Sequence, residues 1–319
     1  MTSSPVAFYS EEFFDQQEVG TLNSARIILG ELWPVFRPAS VIDVGCGVAP
    51  WLRAASDLGA RITAGIDGDY VRQDRLLVDR SVFYPCNLES GSLATVFPQQ
   101  RNFDLVMCLE VAEHLSEARA SSFVTDLCAL GDLVLFSAAV PGQGGMNHIN
   151  EQWPSYWSAF FKKNGLSCFD ILRPKVWNNS VIEWWYAQNV FLFVRNGSPA
   201  FETLLNISQP TQDPLPLVHP RMHAHVLNYA VQRTRELEQL VFLNPFGRDD
   251  HIRMLEDKID TLRSMVTETR DDLQTLVEST EVAKRKHEEL ERVHALILSS
   301  TSWRITAPFR ALRRALGRG

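Results

Sequence analysis

The chain has 319 residues, 45% of them hydrophobic and 22% charged, enough to bury one substantial core and leave residues for an appendage. A formal net charge of −7 argues against a surface that tracks a phosphate backbone, because that mode of binding needs clustered Lys and Arg; a nucleic-acid partner is not expected. The opening run MTSSPVAFYSEEFF has neither a basic nor an apolar signal region, and no stretch reaches 18 uninterrupted apolar residues, so the expected location is cytoplasmic with no membrane span.

Between residues 24 and 196 helical periodicity alternates with short β-branched runs, the pattern of βαβ units around a parallel sheet. A first helix over 22–33 is expected to stop at Pro34 and Pro38. Strand-like runs follow at 40–44, 60–66, 81–85, 103–109, 133–139, 167–172 and 189–195. Seven strands, the last two as a hairpin, predict an α/β fold with a mostly parallel sheet whose edge strand runs antiparallel. This domain occupies 1–198, and 199–248, with several prolines, reads as a connecting region packed partly on it. The cysteines Cys46, Cys86, Cys108, Cys128 and Cys168 are odd in number, lack CxxC spacing and read as reduced thiols.

From Asp249 to Leu298 Gly and Pro are absent and charge dominates. With Ile252 at heptad position a, the a series reads Ile252, Ile259, Val266, Leu273 and the d series Leu255, Leu262, Thr269, Leu276, which predicts a coiled coil over 249–298 that weakens beyond Val277. The alternative is one long amphipathic helix lying on the first domain. The coil implies a homo-oligomer or a second protein partner. The last segment, 299–319, carries Arg304, Arg310, Arg313, Arg314 and Arg318 with no acidic residue, and a short helix after Pro308 would set Phe309, Leu312 and Leu316 beside the arginines. That is the pattern of a helix meeting anionic lipid at the inner face of a membrane; a solvated basic tail is the alternative.

Val41-Ile42-Asp43-Val44 runs straight into Gly45-Cys46-Gly47, so two glycines fall where a strand hands over to a helix and a ligand can touch bare backbone. A dinucleotide fingerprint would place its third glycine at position 50, where Pro50 stands. Asp43 is also unsuited to that fingerprint but can hold an ammonium group. Asp67, 20 residues beyond Gly47 at the end of the second strand, can accept from ribose hydroxyls, and Asp69 competes for that role.

These residues resemble the class I methyltransferase family over 24–196. VIDVGCGVAPWL resembles its first motif, AGIDGDY its ribose motif and CNLE its adenine-contacting motif, with Asn87 where Asp is usual; FDLVMCLEVAEHL resembles its fourth motif. The resemblance implies a Rossmann-like fold, S-adenosylmethionine as methyl donor, and Asp43, Gly45, Cys46, Gly47, Asp67, Gly68, Asn87, Leu88, Leu109 and Glu110 as cofactor-binding residues.

A sulfonium methyl is already activated, so the protein must align an acceptor and remove its proton if it is a hydroxyl. His114 after the fourth strand and His148 after the fifth lie in loops that open at the same sheet edge, and both are candidate catalytic residues; packing or capping is the alternative for each. Glu110, Glu113, His114 and His148 also make an adequate ligand set for Mg, Mn or Zn, and the ExxEH run with a later His is similar to metal-assisted O-methyltransferases. The aromatic runs Trp153, Tyr156, Trp157, Phe160, Phe161 and Trp177, Trp184, Trp185, Tyr186 are mostly core with some faces suited to sugars. HINEQWPSYW and SSTSWRITAPFRALRR resemble segments of bacterial surface-polysaccharide enzymes, which implies a glycan or lipid-linked glycan acceptor. The alternatives are a small-molecule or RNA-terminus O-methyltransferase, or a degenerate scaffold organised by the coil.

Overall fold

The computed structural model describes residues 11–96 and 102–243, and scattered helical positions between 253 and 292. The chain divides into two compact units, 1–231 and 232–319. The expected coil over 249–298 and the basic tail over 299–319 lie almost wholly outside the described residues; of the named a and d positions only Ile259 is described, as a half-buried helical residue.

The first unit opens with α1 (Glu11–Phe36), followed by β1 (Ser40–Val44), α2 (Pro50–Asp57), β2 (Ile62–Asp67), β3 (Phe83–Pro85), α3 (Leu93–Val96) and β4 (Leu105–Leu109). Next come α4 (Glu117–Leu130), β5 (Leu133–Ser137), α5 (Pro154–Lys163), β6 (Leu166–Phe169), α6 (Arg173–Val176), α7 (Trp184–Asn189), β7 (Phe191–Arg195), α8 (Pro199–Leu205) and α9 (Pro220–Leu243). The seven strands form one sheet in the order β3-β2-β1-β4-β5-β7-β6. β4 and β5 are buried at every position, as expected of strands with helices on both faces.

Four details differ from the expectations drawn from sequence. α1 starts eleven residues earlier and continues past Pro34 to Phe36. A proline near a helix end forfeits one hydrogen bond, and here the burial of Ala25, Ile28, Leu29 and Leu32 outweighs it. β6 and β7 pair antiparallel but are separated by α6 and α7, so they form no tight hairpin. The reversed strand is β7, which lies between β5 and β6 and runs antiparallel to both; the edge strand β6 shares the direction of the others. Of residues 189–190, expected in the last strand, Asn189 ends α7 and Val190 is its extended C-cap.

Two cores flank the sheet. One joins α4 and α5 to the sheet through Phe123, Leu127, Trp157 and Phe161, with the Phe161 and Phe193 rings stacked at 3.8 Å. The other joins α1 and α2 through Ile28, Leu32, Trp51 and Leu52. A third, small cluster of Val140, Trp184 and Met222 ties the start of α9 to the loop after β5. Buried Arg173 adds hydrogen bonds to the carbonyls of Gln188 and Leu215 and lies over the Phe191 ring at 4.1 Å. Val218, Met222 and Val226 thus pack against Val140 and Trp184 of the sheet domain.

The strand order reverses between β1 and β4, which opens a crevice beyond their carboxyl ends. The glycine pair and the β4 turn both fall there.

Candidate active site

β1 ends in a loop whose backbone is left-handed at Gly45 (φ 81°), Gly47 (φ 52°) and Ala49 (φ 67°). A Cβ at Gly45 would lie 2.3 Å from a Val111 methyl, so that position requires glycine on steric as well as dihedral grounds. At Gly47 a Cβ would meet no atom within 4 Å, because the residue borders a cavity. The cavity holds about 200 Å³ and is lined by Glu18, Thr21, Asp43, Gly45, Cys46, Gly47, Val48, Pro50, Trp51, Leu109 and Tyr186. Five of the ten cofactor residues expected from sequence are thus brought together there: Asp43, Gly45, Cys46, Gly47 and Leu109.

Asp43 is buried and its Oδ2 has no hydrogen-bond partner. Burial, and then the nearby Asp67 charge, holds its carboxyl well above the usual carboxylate range. The lining carries the carboxylates of Asp43 and Glu18 and no Lys or Arg, which suits a ligand with a cationic end and does not suit a pyrophosphate.

Asp67 turns toward the loop backbone. Its Oδ2 accepts from the Gly47 N–H at 2.7 Å, and its Oδ1 accepts from the Gly68 N–H and the Tyr70 hydroxyl, each at 2.6 Å. The Tyr70 ring crosses Gly68 so closely that a Cβ there would come to 2.0 Å. Asn87 Oδ1 accepts from the backbone N–H groups of Glu89 at 2.9 Å and Ser90 at 3.3 Å, closing a turn. Leu88 is buried beside it.

At the end of β4, Glu110 adopts φ 55°, and its carboxylate accepts from Gln143 Nε2 at 2.8 Å and Asn189 Nδ2 at 3.1 Å. Gln188 extends this network, donating to Gln143 Oε1 and accepting from the His219 N–H. None of the three amides was singled out in the sequence, because isolated Gln and Asn residues carry no spacing signal.

The two histidines, after β4 and after β5, are neighbours. Their rings pack edge to face with centroids 4.8 Å apart. His148 Nδ1 lies 2.9 Å from Glu151 Oε1, while the Glu151 carboxylate accepts from the Gly142 and Gly144 N–H groups at 2.8 Å each. Burial pushes Glu151 up, but the hydrogen bonds from His148, Gly142 and Gly144 outweigh it and bring its carboxyl below the ordinary glutamate range. Burial first, and then the neighbouring His148, lowers His114 from its ordinary value, which favours a neutral ring at pH 7.

Glu113 is fully buried, and neither of its carboxylate oxygens has a hydrogen-bond partner. Donor atoms of Glu113, His114 and His148 lie within 4.8 Å of one another, a geometry open to a metal ion. Glu110 stands outside that group, its carboxylate being held by Gln143 and Asn189.

A family model described as a methyltransferase domain matches residues 24–186, a span that contains the glycine loop, the β4 turn and the histidine pair. The chain belongs to the methyltransferase-domain family. S-adenosylmethionine is its methyl donor, and the Asp43 carboxylate with the Gly45–Gly47 backbone fits that donor's cationic amino-acid end. The fold is the Rossmann-like fold of class I methyltransferases. No curated protein sequence matches this methyltransferase.

Among solved structures it is similar to the magnesium protoporphyrin IX methyltransferase from Synechocystis PCC 6803 with bound SAM. The identity is 16% over 61% of this chain and 87% of that one, with a TM-score of 0.42. The sugar N-methyltransferase KedS8 from Streptoalloteichus sp ATCC 53650 is 13% identical over 61% of this chain and 98% of that one, TM-score 0.43. The methyltransferase domain of bacterial CtHen1-C is 18% identical over 55% and 98%, TM-score 0.41. Among the described residues, no helix is long and apolar enough to cross a membrane.

Proposed function

We propose that this methyltransferase O-methylates a hydroxyl, with His148 as general base, and that the hydroxyl belongs to a sugar of a surface glycan or its lipid-linked precursor. The observation that carries the base assignment is the Glu151–His148 pair. Glu151 accepts from Nδ1 and thereby leaves Nε2 as the basic nitrogen, while the Gly142 and Gly144 N–H groups keep the carboxylate ionised and fixed. An alcohol acceptor needs such a base, because its proton is lost as the new bond forms. Glu151 then stabilises the imidazolium that results.

When bound, S-adenosylmethionine supplies a methyl group already activated by its sulfonium. In this reading Asp43 and the Gly45–Gly47 backbone hold the amino-acid end, while Asp67, Gly68, Asn87 and Leu88 serve the nucleoside end. The Glu110 carboxyl, held by Gln143 and Asn189, stands at the β4 turn, and His114 packs against His148 to set its ring plane. The sugar assignment rests on the resemblance of HINEQWPSYW and the basic tail to surface-polysaccharide enzymes. A coil ending in that tail would hold the catalytic unit near the inner leaflet, where lipid-linked glycans grow.

Incubation with methyl-labelled S-adenosylmethionine and lipid-linked glycan fractions should place label in sugar, and the label should vanish in His148→Ala. Labelling of RNA termini or small phenols with none in sugar would overturn the acceptor assignment.

A second reading is favoured by the orphaned Glu113 carboxylate beside His114 and His148. A divalent ion held by these three would lower the acceptor hydroxyl's pKa and take over the base's work. Chelation followed by add-back of magnesium, manganese or zinc separates the two. Turnover indifferent to all three leaves His148 as the base.

A further inference from the structure

The methyl-donor cavity has a wall that no methyltransferase motif predicts. Glu18 and Thr21, three residues apart on α1, share one helix face, and both line the cavity. Two contacts fix the helix in that register. Gly20 lies so close to Glu183 that a Cβ would come 2.2 Å from its Oε1, and the Ser24 hydroxyl accepts from the Glu183 N–H at 2.9 Å while donating to the Gly20 carbonyl. A side chain at position 20 would have to displace the Glu183 carboxylate from this contact.

Glu18 also meets Arg75, in the segment after β2, at 3.0 Å; both side chains are about one-quarter exposed. The ion pair gives α1 a second attachment besides the one at Glu183. Asp43 lines the same cavity, buried and with Oδ2 unpartnered. Two carboxylates, one on the loop after β1 and one on α1, thus face a volume that no Lys or Arg lines. Burying Asp43 without a donor is unfavourable, and a cation entering between the two acids relieves that cost.

We propose that Glu18 is a second cofactor-binding carboxylate, which with Asp43 holds the ammonium of the methyl donor's amino-acid end and makes α1 a wall of the donor site. The inference rests on S-adenosylmethionine being the donor. Arg75 is the fastening for α1, and the charge that acts on the ligand is that of Glu18.

Titration calorimetry on the full chain tests this with two probes: S-adenosylhomocysteine, which carries the ammonium, and 5′-methylthioadenosine, which keeps the nucleoside and thioether but lacks it. Glu18→Gln should weaken S-adenosylhomocysteine about tenfold and leave methylthioadenosine within twofold; Arg75→Gln should leave both within threefold. Equal losses for both probes in Glu18→Gln, or an Arg75→Gln that reproduces the Glu18→Gln pattern, would mean that the residue only fastens the helix and would overturn the proposal. Unchanged S-adenosylhomocysteine affinity in Glu18→Gln overturns it as well. Wild-type protein that binds neither probe fails the donor assignment itself, a different outcome from wild-type binding with an indifferent variant.

Discussion

Glu113 is the residue whose burial is hardest to reconcile with a charge. Its carboxyl is held well above the ordinary glutamate range by burial and then by the Glu110 charge, and neither oxygen has a partner. An acid whose folded pKa is raised binds its proton more tightly in the folded state. Its penalty is absent below the ordinary glutamate pKa and grows as the pH rises toward the raised folded value. Glu113→Gln keeps the shape and removes the ionisable group. In metal-free buffer the variant should match wild type in Tm at pH 4 and exceed it at pH 8, as read by thermal unfolding. A lower Tm at pH 8 would show that the carboxylate is stabilised there after all, and a loss of stability confined to metal-loaded samples would support the metal reading. The sequence pointed to Glu113 only through its ExxEH spacing. The spacing is local, whereas the depth of Glu113 follows from the loop after β5, whose Ile149 and Asn150 N–H groups close on the Glu113 carbonyl at 2.9 and 3.0 Å.

Among the elements, that loop is built around one missing side chain. Gly142, Gly144 and Gly145 all have positive φ, and a Cβ on Gly145 would lie 2.3 to 2.7 Å from the His148 ring. Gly145→Ala should therefore displace the imidazole from Glu151 while leaving the sheet and the donor cavity untouched. A misplacement of about 1 Å at a reacting group costs on the order of 100-fold in turnover. Steady-state turnover should fall by about that factor with S-adenosylhomocysteine affinity unchanged by calorimetry; unaltered turnover would remove His148 from the reaction. The glycine richness of this loop was legible in the sequence, as were β1 and the turn after it, where β-branched residues run directly into paired glycines. The amide network was not. Gln143 and Asn189 reach Glu110 from 33 and 79 residues away, and no periodicity connects positions that only the sheet order brings together. Glu18 is not legible for a related reason: residues 11–21 show little apolar periodicity, so the sequence pattern marks α1 only from residue 22.

At the scale of the whole molecule, the three cores of the first unit draw their buried side chains from Ala25 through Met222, and the donor cavity takes its lining from Glu18 through Tyr186. Stability of a packed unit depends on the apolar surface it encloses, so binding of the donor should need nothing beyond the end of α9. A chain of residues 1–243 is expected to unfold cooperatively and to bind S-adenosylhomocysteine with a Kd within threefold of full length. The segment that follows carries the a and d positions Ile252, Leu255, Ile259, Leu262 and Val266, and the proposed coil would set this apolar stripe against another helix. Under that proposal the two chains should differ in association and not in donor binding. Light scattering should give an oligomer for the full chain and a monomer for 1–243. Equal masses for both would assign the stripe to the catalytic unit's own surface, in keeping with the single amphipathic helix. A truncated chain that loses donor binding would show instead that the second unit completes the fold of the first, an outcome at odds with cores that close at residue 226.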